Sequence, residues 1–155
     1  MMGKRRQSRE IALKLLYAYD VTQEPAADLL QAPWIESLGP ESIRRFALTL
    51  VEGVIRHRDE IDALVQAWSM NWSLERIGVI ERNILRFAIC ELLFLSDIPP
   101  NVTINEAVEV AKRYGTDEAP SFINGILDRV KQEVQGGRDE HETEALPGLS
   151  HLPSV

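Results

Sequence analysis

The chain has 155 residues with 17 basic and 24 acidic side chains, and its formal net charge is −7. This length suffices for one domain that buries about 68–70% of its unfolded surface without disulfide or metal support. The single cysteine, Cys90, excludes an internal disulfide, and no signal-peptide pattern is present, so we expect a reduced, cytoplasmic setting. No apolar run reaches the roughly 20 residues that a bilayer-spanning helix needs, and we expect no membrane partner.

The positive charge is concentrated at the N-terminus. Up to residue 14 there are five basic residues against the single acidic residue Glu10, a local net charge of +4 that leaves −11 for the remainder. The basic residues of this segment are Lys4, Arg5, Arg6, Arg9 and Lys14. Such an asymmetry predicts that this end of the molecule contacts a polyanion while the bulk repels it.

Apolar residues repeat with a period near 3.6 in nearly every segment, and no stretch alternates for long enough to form a strand. The sequence therefore predicts an all-α domain. We expect helices over residues 5–21, 26–31, 41–57 and 58–68, a central helix after a turn near Gly78, a helix that ends at Gly115, and a last helix from about Pro120. Pro99 and Pro100 should end the central helix.

Three local features of the sequence predict details of helix packing and helix ends. Gly53 lies inside a helical stripe, where glycine is about 1 kcal/mol worse than alanine, so we expect another helix to approach closely there. Glu91 falls on a buried sector of the central helix and needs a partner such as an arginine or a capped helix end. The sequence Thr103 to Glu106, TINE, has the capping-box pattern of a helix start.

The last twenty residues, GGRDEHETEALPGLSHLPSV, differ from the rest of the chain. They show no periodicity, contain several helix breakers and carry a net charge of −3. We therefore predict a folded domain over residues 1–135 and a disordered acidic tail over residues 136–155.

The first helix has one broad apolar face, which must dock on other helices. Tyr17 lies about 170° from the centre of that face and Leu13 about 150°, both in the sector of Arg6. An exposed tyrosine near several cations suits single-stranded RNA, since cations neutralise phosphates and the ring stacks on a base. The alternative is a frayed basic terminus and an exposed tyrosine without a role.

No constellation for catalysis is present in the sequence. We find no glycine loop that could cradle phosphate, no cysteine pair at metal spacing and no helical histidine pair. Carboxylates at helical spacing are better explained as helix caps and solvated faces than as acid–base pairs. We expect no enzyme activity, no metal and no cofactor.

Three stretches together identify a family: RRQSREIALKLLYAYD, VIERNILRFAICELLFLSDIPPNVTINEAVEVAKRYG and SFINGILDRV. They resemble the NusB family of transcription antitermination factors. The resemblance implies about seven helices in two small bundles. It also implies binding of boxA-type RNA of nascent ribosomal transcripts together with NusE, a small-subunit ribosomal protein, within an RNA polymerase complex that reads through terminators.

The resemblance assigns RNA contacts to the basic start of helix one, to the aromatic position Tyr17 and to Phe122. Phe122 lies at the edge of its helix's apolar stripe, so a boundary core residue is the alternative. Gln7 and Ser8 stand where the family often has arginine and alanine, which leaves fewer cationic contacts. The predicted RNA-binding residues are Lys4, Arg5, Arg6, Arg9, Tyr17 and Phe122.

Glu81 matches an acidic position that faces NusE in the family, and we extend this face to Glu75. An acidic face offered to a basic ribosomal protein speeds encounter and fixes orientation more than it adds affinity. The alternative for Glu81 is an ordinary solvated carboxylate.

Two other functions remain open at this point. A similar domain forms the N-terminal part of certain ribosomal RNA cytosine methyltransferases, but too few residues follow Val134 for a methyl-transfer domain. A helical protein-interaction module without RNA binding is the other possibility. The sequence does not distinguish a monomer from a homodimer.

Overall fold

The computed structural model describes residues 3–70 and 73–144. It is all-α in these residues, as predicted. The helices are α1 Lys4–Thr22, α2 Ala26–Leu30, α3 Glu41–Arg56, α4 Arg58–Trp68, α5 Val79–Phe94, α6 Pro100–Tyr114 and α7 Ala119–Glu144. Short 3-10 segments occupy Pro33–Leu38 and Leu74–Arg76. Among the described helices, none is both long and apolar enough to cross a membrane.

Helix α5 is the centre of the fold. Every residue from 83 to 93 is buried, and α5 packs against α1, α3, α4, α6 and α7. Helices α1 and α3 pack closely on one another, as do α6 and α7. A helix with no polar face must be surrounded by other helices, which is why this segment is apolar on almost every side.

The close approach expected at Gly53 is present between α3 and α5. A Cβ atom on Gly53 would lie 2.6 Å from Sγ of Cys90, a separation that real Cβ atoms do not tolerate. Burial raises the pKa of the Cys90 thiol to about 12, so the sulfur packs as a small apolar group.

Helix α6 begins earlier than the capping-box pattern predicts. Pro100 occupies the first turn, where its missing N–H is not needed. Thr103 is therefore buried inside the helix, and its hydroxyl donates a hydrogen bond to Glu91 Oε1 at 2.8 Å instead of capping. Gly115 ends α6 in extended conformation (φ −93°, ψ −177°) rather than in the left-handed conformation of a glycine cap.

Helix α7 continues past the predicted end of the folded domain. It runs to Glu144, so residues 136–144 are helical where we expected a disordered tail. Arginine and glutamate are good helix formers, and a helix that is already nucleated propagates through the two glycines Gly136 and Gly137 at a loss of about 1 kcal/mol each. The rest of the expected tail, residues 145–155, lies outside the described residues.

A polar network joins the end of α1 to α4 and α5 around Asp20. Arg82 donates two hydrogen bonds to the Asp20 carboxylate at 2.7 and 2.9 Å, and Asn83 Nδ2 donates a third at 3.0 Å. Arg86 bridges Asp20 at 2.9 Å and Asp62 at 2.8 Å. Burial opposes ionisation of Asp20, but these hydrogen bonds and the charge of Arg86 outweigh it and lower its pKa from 3.8 to about 2.

Adding a methyl group at Gly53 should destabilise the protein. We expect Gly53→Ala to lower the free energy of unfolding, because overpacking against Cys90 costs about 1–3 kcal/mol and outweighs the gain of about 1 kcal/mol in helix propensity. Gly125→Ala is the matched control: an added Cβ there meets nothing within 4 Å, so it should stabilise by about 0.4–1 kcal/mol. Equal behaviour of the two variants in urea titrations would contradict the close approach.

The Asp20 network predicts an acid-dependent loss of stability. Since the pKa of Asp20 is lower in the folded chain, its contribution is complete above about pH 4 and is lost as the pH falls towards 2. Asp20→Asn should therefore flatten the pH dependence of the unfolding free energy in this window, and Asp97→Asn, at an exposed position, should not. A wild-type slope in the Asp20→Asn variant would show that Asp20 is not the titrating group.

Candidate nucleic-acid interface

The basic start of α1 is divided between two sides of the helix. Lys4 and Arg5 are exposed, whereas Arg6 turns towards α6. The guanidinium group of Arg6 donates to both carboxylate oxygens of Glu106, at 2.9 and 2.7 Å. This bidentate hydrogen bond lowers the pKa of Glu106 and raises that of Arg6. Arg6 remains 36% exposed, so its outer edge is still open to a phosphate.

Arg9 does not belong to the free surface cations, contrary to the sequence-based prediction. Its side chain is 2% exposed. It donates to the two oxygens of Glu91 at 2.7 and 2.8 Å, and Glu91 also accepts the hydroxyl of Thr103. The helical pattern indicated correctly that Glu91 is buried and needs a partner; of the two kinds expected, an arginine or a capped helix end, the structure shows an arginine. The same pairing leaves almost none of the Arg9 side chain exposed.

Tyr17 is exposed, at 45% of its surface, as the helical wheel predicts. Leu13, which the wheel places in the same sector, is only 4% exposed. It lies one turn N-terminal to Tyr17, where α6 covers this sector of α1. Beside Tyr17 lies Tyr114 of α6, whose hydroxyl donates to Glu10 Oε1 at 2.8 Å. Tyr114 is an aromatic side chain of the surface that the sequence analysis did not single out, since nothing local distinguishes it at a helix end.

Tyr17 and Phe122 line two adjoining grooves. The groove of Tyr17 is also lined by Glu81, Tyr114 and Thr116. Glu81 and Thr116 line the next groove as well, together with Phe122. Phe122 is half-buried and packs against the core, which agrees with its expected place at the edge of the apolar stripe. The two predicted aromatic positions thus lie on one continuous surface.

Glu81 is more than a solvated carboxylate. It lies in the first turn of α5, where a negative charge is favourable, and its Oε2 accepts the backbone N–H of Thr116 at 3.2 Å. A Cβ atom on Gly78 would collide with one carboxylate oxygen, and one on Gly115 would lie 2.8 Å from the other. Glu81 therefore connects the start of α5 to the turn between α6 and α7.

Glu75 is exposed in the 3-10 segment before α5. Its neighbours Arg76 and Ile77 line the groove of Phe122, but Glu75 itself is not among the lining residues. The structure brings Glu81 next to Phe122 and leaves Glu75 at the margin.

Within the described residues, no group of three or more histidine, cysteine, aspartate or glutamate side chains is placed to hold a metal ion. The arrangement offers surface cations, exposed aromatic rings and shallow grooves. These groups suit the binding of a polyanion with planar bases.

Comparison with known proteins decides the family. The sequence model described as "NusB family" matches residues 6–132. The chain belongs to the NusB family. The transcription antitermination protein NusB of Geobacter sulfurreducens is 52% identical over 130 residues, which are 83% of this chain and 94% of the relative. That of Syntrophus aciditrophicus is 42% identical over 149 residues, or 96% and 92% of the two chains.

Solved structures of NusB proteins have the same fold. The structure of T. maritima NusB matches with a TM-score of 0.75 and 37% identity, over 86% of this chain and 94% of that one. A chain in a crystal structure of the antitermination factors NusB and NusE in complex with double-stranded RNA matches with a TM-score of 0.75 and 30% identity, over 86% and 99%.

We predict unequal roles for the two paired arginines. Arg9→Met should lower the free energy of unfolding by about 3–5 kcal/mol, because it leaves Glu91 buried without its counter-charge. Arg6→Met breaks a half-exposed pair and should lose no more than about 1 kcal/mol. Chemical denaturation measures both.

The double variant Arg9→Met/Glu91→Met is the control for this comparison. Removing both charges should recover much of the loss. Equal losses for Arg9→Met and Arg6→Met would contradict the buried pair.

Proposed function

We propose that this chain binds single-stranded boxA-type RNA of nascent ribosomal transcripts together with NusE, and acts in the cytoplasm in an RNA polymerase complex that reads through terminators. Its role in this proposal is binding, without covalent chemistry. The observation that carries the proposal is the common exposure of Lys4, Arg5 and Tyr17 on α1, in a chain whose net charge is −7.

Electrostatics and stacking support RNA as the ligand. Lys4 and Arg5 form no ion pair within the described residues, and the outer edge of Arg6 is open. Each cation that neutralises a phosphate releases counterions, and an exposed ring adds about 1–3 kcal/mol per stacked base. The solved structure of NusB and NusE in complex with double-stranded RNA supports RNA and NusE as the two kinds of partner. The proposal that the RNA is single-stranded rests on the exposed ring of Tyr17, because a ring stacks on a base that is splayed out of a duplex.

In the groove of Phe122, we assign the part at Glu81 to NusE, while Phe122 itself, which lines the same groove, stays assigned to RNA. The groove is lined by the buried apolar residues Ile77 and Ala119 and by three charged residues, Glu81, Glu118 and Arg76. Two carboxylates against one cation beside apolar residues are complementary to a basic protein, and charge complementarity sets orientation and rate of encounter. Because this groove adjoins that of Tyr17, RNA and NusE can be bound side by side.

The proposal predicts a moderate dependence of RNA affinity on salt. With Arg9 buried, Lys4, Arg5 and the outer edge of Arg6 remain of the predicted cationic contacts. These three should make log affinity for single-stranded RNA fall against log salt with a slope of about −2, and each further phosphate contact makes the slope steeper by about 0.7. Fluorescence anisotropy with a boxA-type RNA, with and without NusE, measures it. A helical interaction module without RNA binding would show no salt-dependent RNA affinity at all.

A second prediction tests the aromatic ring. Tyr17→Leu should weaken RNA binding by about 1–3 kcal/mol through the lost stacking. Trp34→Leu is the matched control, since Trp34 is 46% exposed against 45% for Tyr17 and lines none of the grooves described above. Unchanged affinity of Tyr17→Leu would contradict the role of this ring.

A further inference from the structure

Lys4, Arg5 and Lys14 are exposed cations of the N-terminal segment that form no ion pair within the described residues. On the side of α1 that faces α6, Arg6 pairs with Glu106, and Arg113 pairs with Glu10 at 3.5 Å. On the α3 side, Lys4 and Arg5 have no acidic partner within the described residues. These two cations are therefore available to a polyanion that approaches α1 from the α3 side.

A groove of about 300 Å³ lies at this place between α1 and α3. Lys4, Arg5 and Arg45 line it together with Phe46 and the hydroxyl-bearing residue Ser42. No acidic residue is part of the lining. The carboxylate of Glu41 pairs with Arg45 at 2.9 Å, and both side chains are about three-quarters exposed. Exposed pairs of this kind are weak, so Arg45 remains available to a phosphate.

Arg5 and Phe46 form a cation–π pair in the groove. The guanidinium carbon of Arg5 lies 3.8 Å from the centre of the Phe46 ring. Arg9 lies 5.6 Å from the same ring and is itself fixed by its hydrogen bonds to Glu91. A guanidinium group that is held flat on an aromatic ring presents its other face to solvent as a planar, charged surface.

We propose that the groove between α1 and α3 is a second subsite for single-stranded RNA, in which Lys4 and Arg45 hold phosphates and an unpaired base stacks on the outer face of Arg5. Unpaired bases stack on guanidinium planes as well as on aromatic rings. This inference rests on the proposed RNA-binding function and extends it from α1 to α3.

The spacing of the two subsites sets the length of strand that they require. Arg5 and Tyr17 are twelve residues apart on α1, which corresponds to about 18 Å along the axis and about 120° around it. The rotation adds an arc of about 11 Å at the helix surface, so the two positions are about 21 Å apart. A stacked strand advances about 3.4 Å per nucleotide, so about six nucleotides separate them. The strand therefore crosses α1 obliquely, and only longer RNAs occupy both subsites.

The test compares substitutions in the groove with one outside it, in the full chain, by anisotropy with a boxA-type RNA of about twelve nucleotides. Arg45→Gln should weaken binding several-fold at low salt and make the slope of log affinity against log salt less steep by about 0.7, the value for one phosphate contact on a single strand. Arg45→Lys should retain the slope. Arg56→Gln, an exposed cation at the other end of α3, should change neither quantity.

Phe46→Leu removes the support of Arg5 and should weaken binding about tenfold, as the loss of one stacked base does. Because Phe46 packs against the core, the melting temperature of the Phe46→Leu variant is measured as well. If this variant does not fold, the substitutions of the exposed Arg45 test the proposal.

The outcomes separate the subsite from the proposed function. If Tyr17→Leu weakens binding while Arg45→Gln binds with wild-type affinity and slope, the groove is not a subsite, and RNA binding stands. If the wild-type chain shows no salt-dependent RNA affinity, the proposed function and the subsite both fail.

Discussion

The buried ion pair between Arg9 and Glu91 is the constraint on which the surface of this protein depends. A buried ion pair stabilises a fold only when the two groups are well oriented and their remaining hydrogen-bonding atoms have partners. Here two short hydrogen bonds join Arg9 to Glu91, and the hydroxyl of Thr103 donates a third to the Glu91 carboxylate. The pair ties α1 to α5, and through Thr103 to α6. It thereby fixes the rotation of α1 about its own axis, and with it the directions in which Arg5 and Tyr17 point.

That rotation decides how the small positive charge of an acidic chain is used. Some of the cations on α1 are matched with carboxylates and serve to hold helices together, while Lys4 and Arg5 remain at the surface. In the proposed function, this surface takes the RNA and the acidic groove at Glu81 takes the protein partner. Glu81 and Thr116 line both grooves, so a change in structure at the junction of α5, α6 and α7 would alter both the groove of Tyr17 and the groove of Phe122.

The sequence predicted the fold class and most helix bounds, because the apolar period is a local signal. The expectation that Pro99 and Pro100 end the central helix was wrong: α5 ends at Phe94, and Pro100 begins α6. The sequence also predicted that Glu91 is buried and paired. The sequence could not show that Arg9 is the partner. A helical wheel shows which residues share a face of a helix but not which other helix covers that face, so Arg9 was interpreted as a further surface cation. Leu13 was misplaced for the same reason, because α6 covers a sector of α1 that looks polar in isolation. The capping-box pattern at Thr103 failed because the earlier Pro100 starts the helix first.

The most direct test of this account is the behaviour of the arginine side chains when RNA binds. In nuclear magnetic resonance, each Nε–H group reports its own hydrogen bond, so an RNA titration of ¹⁵N-labelled protein distinguishes a supporting arginine from a contacting one. The account predicts that the Arg9 signal stays protected from exchange and unshifted while that of Arg5 moves. A shifted, unprotected Arg9 signal would mean that Arg9 leaves Glu91 to bind RNA, and would contradict the central role of the buried pair.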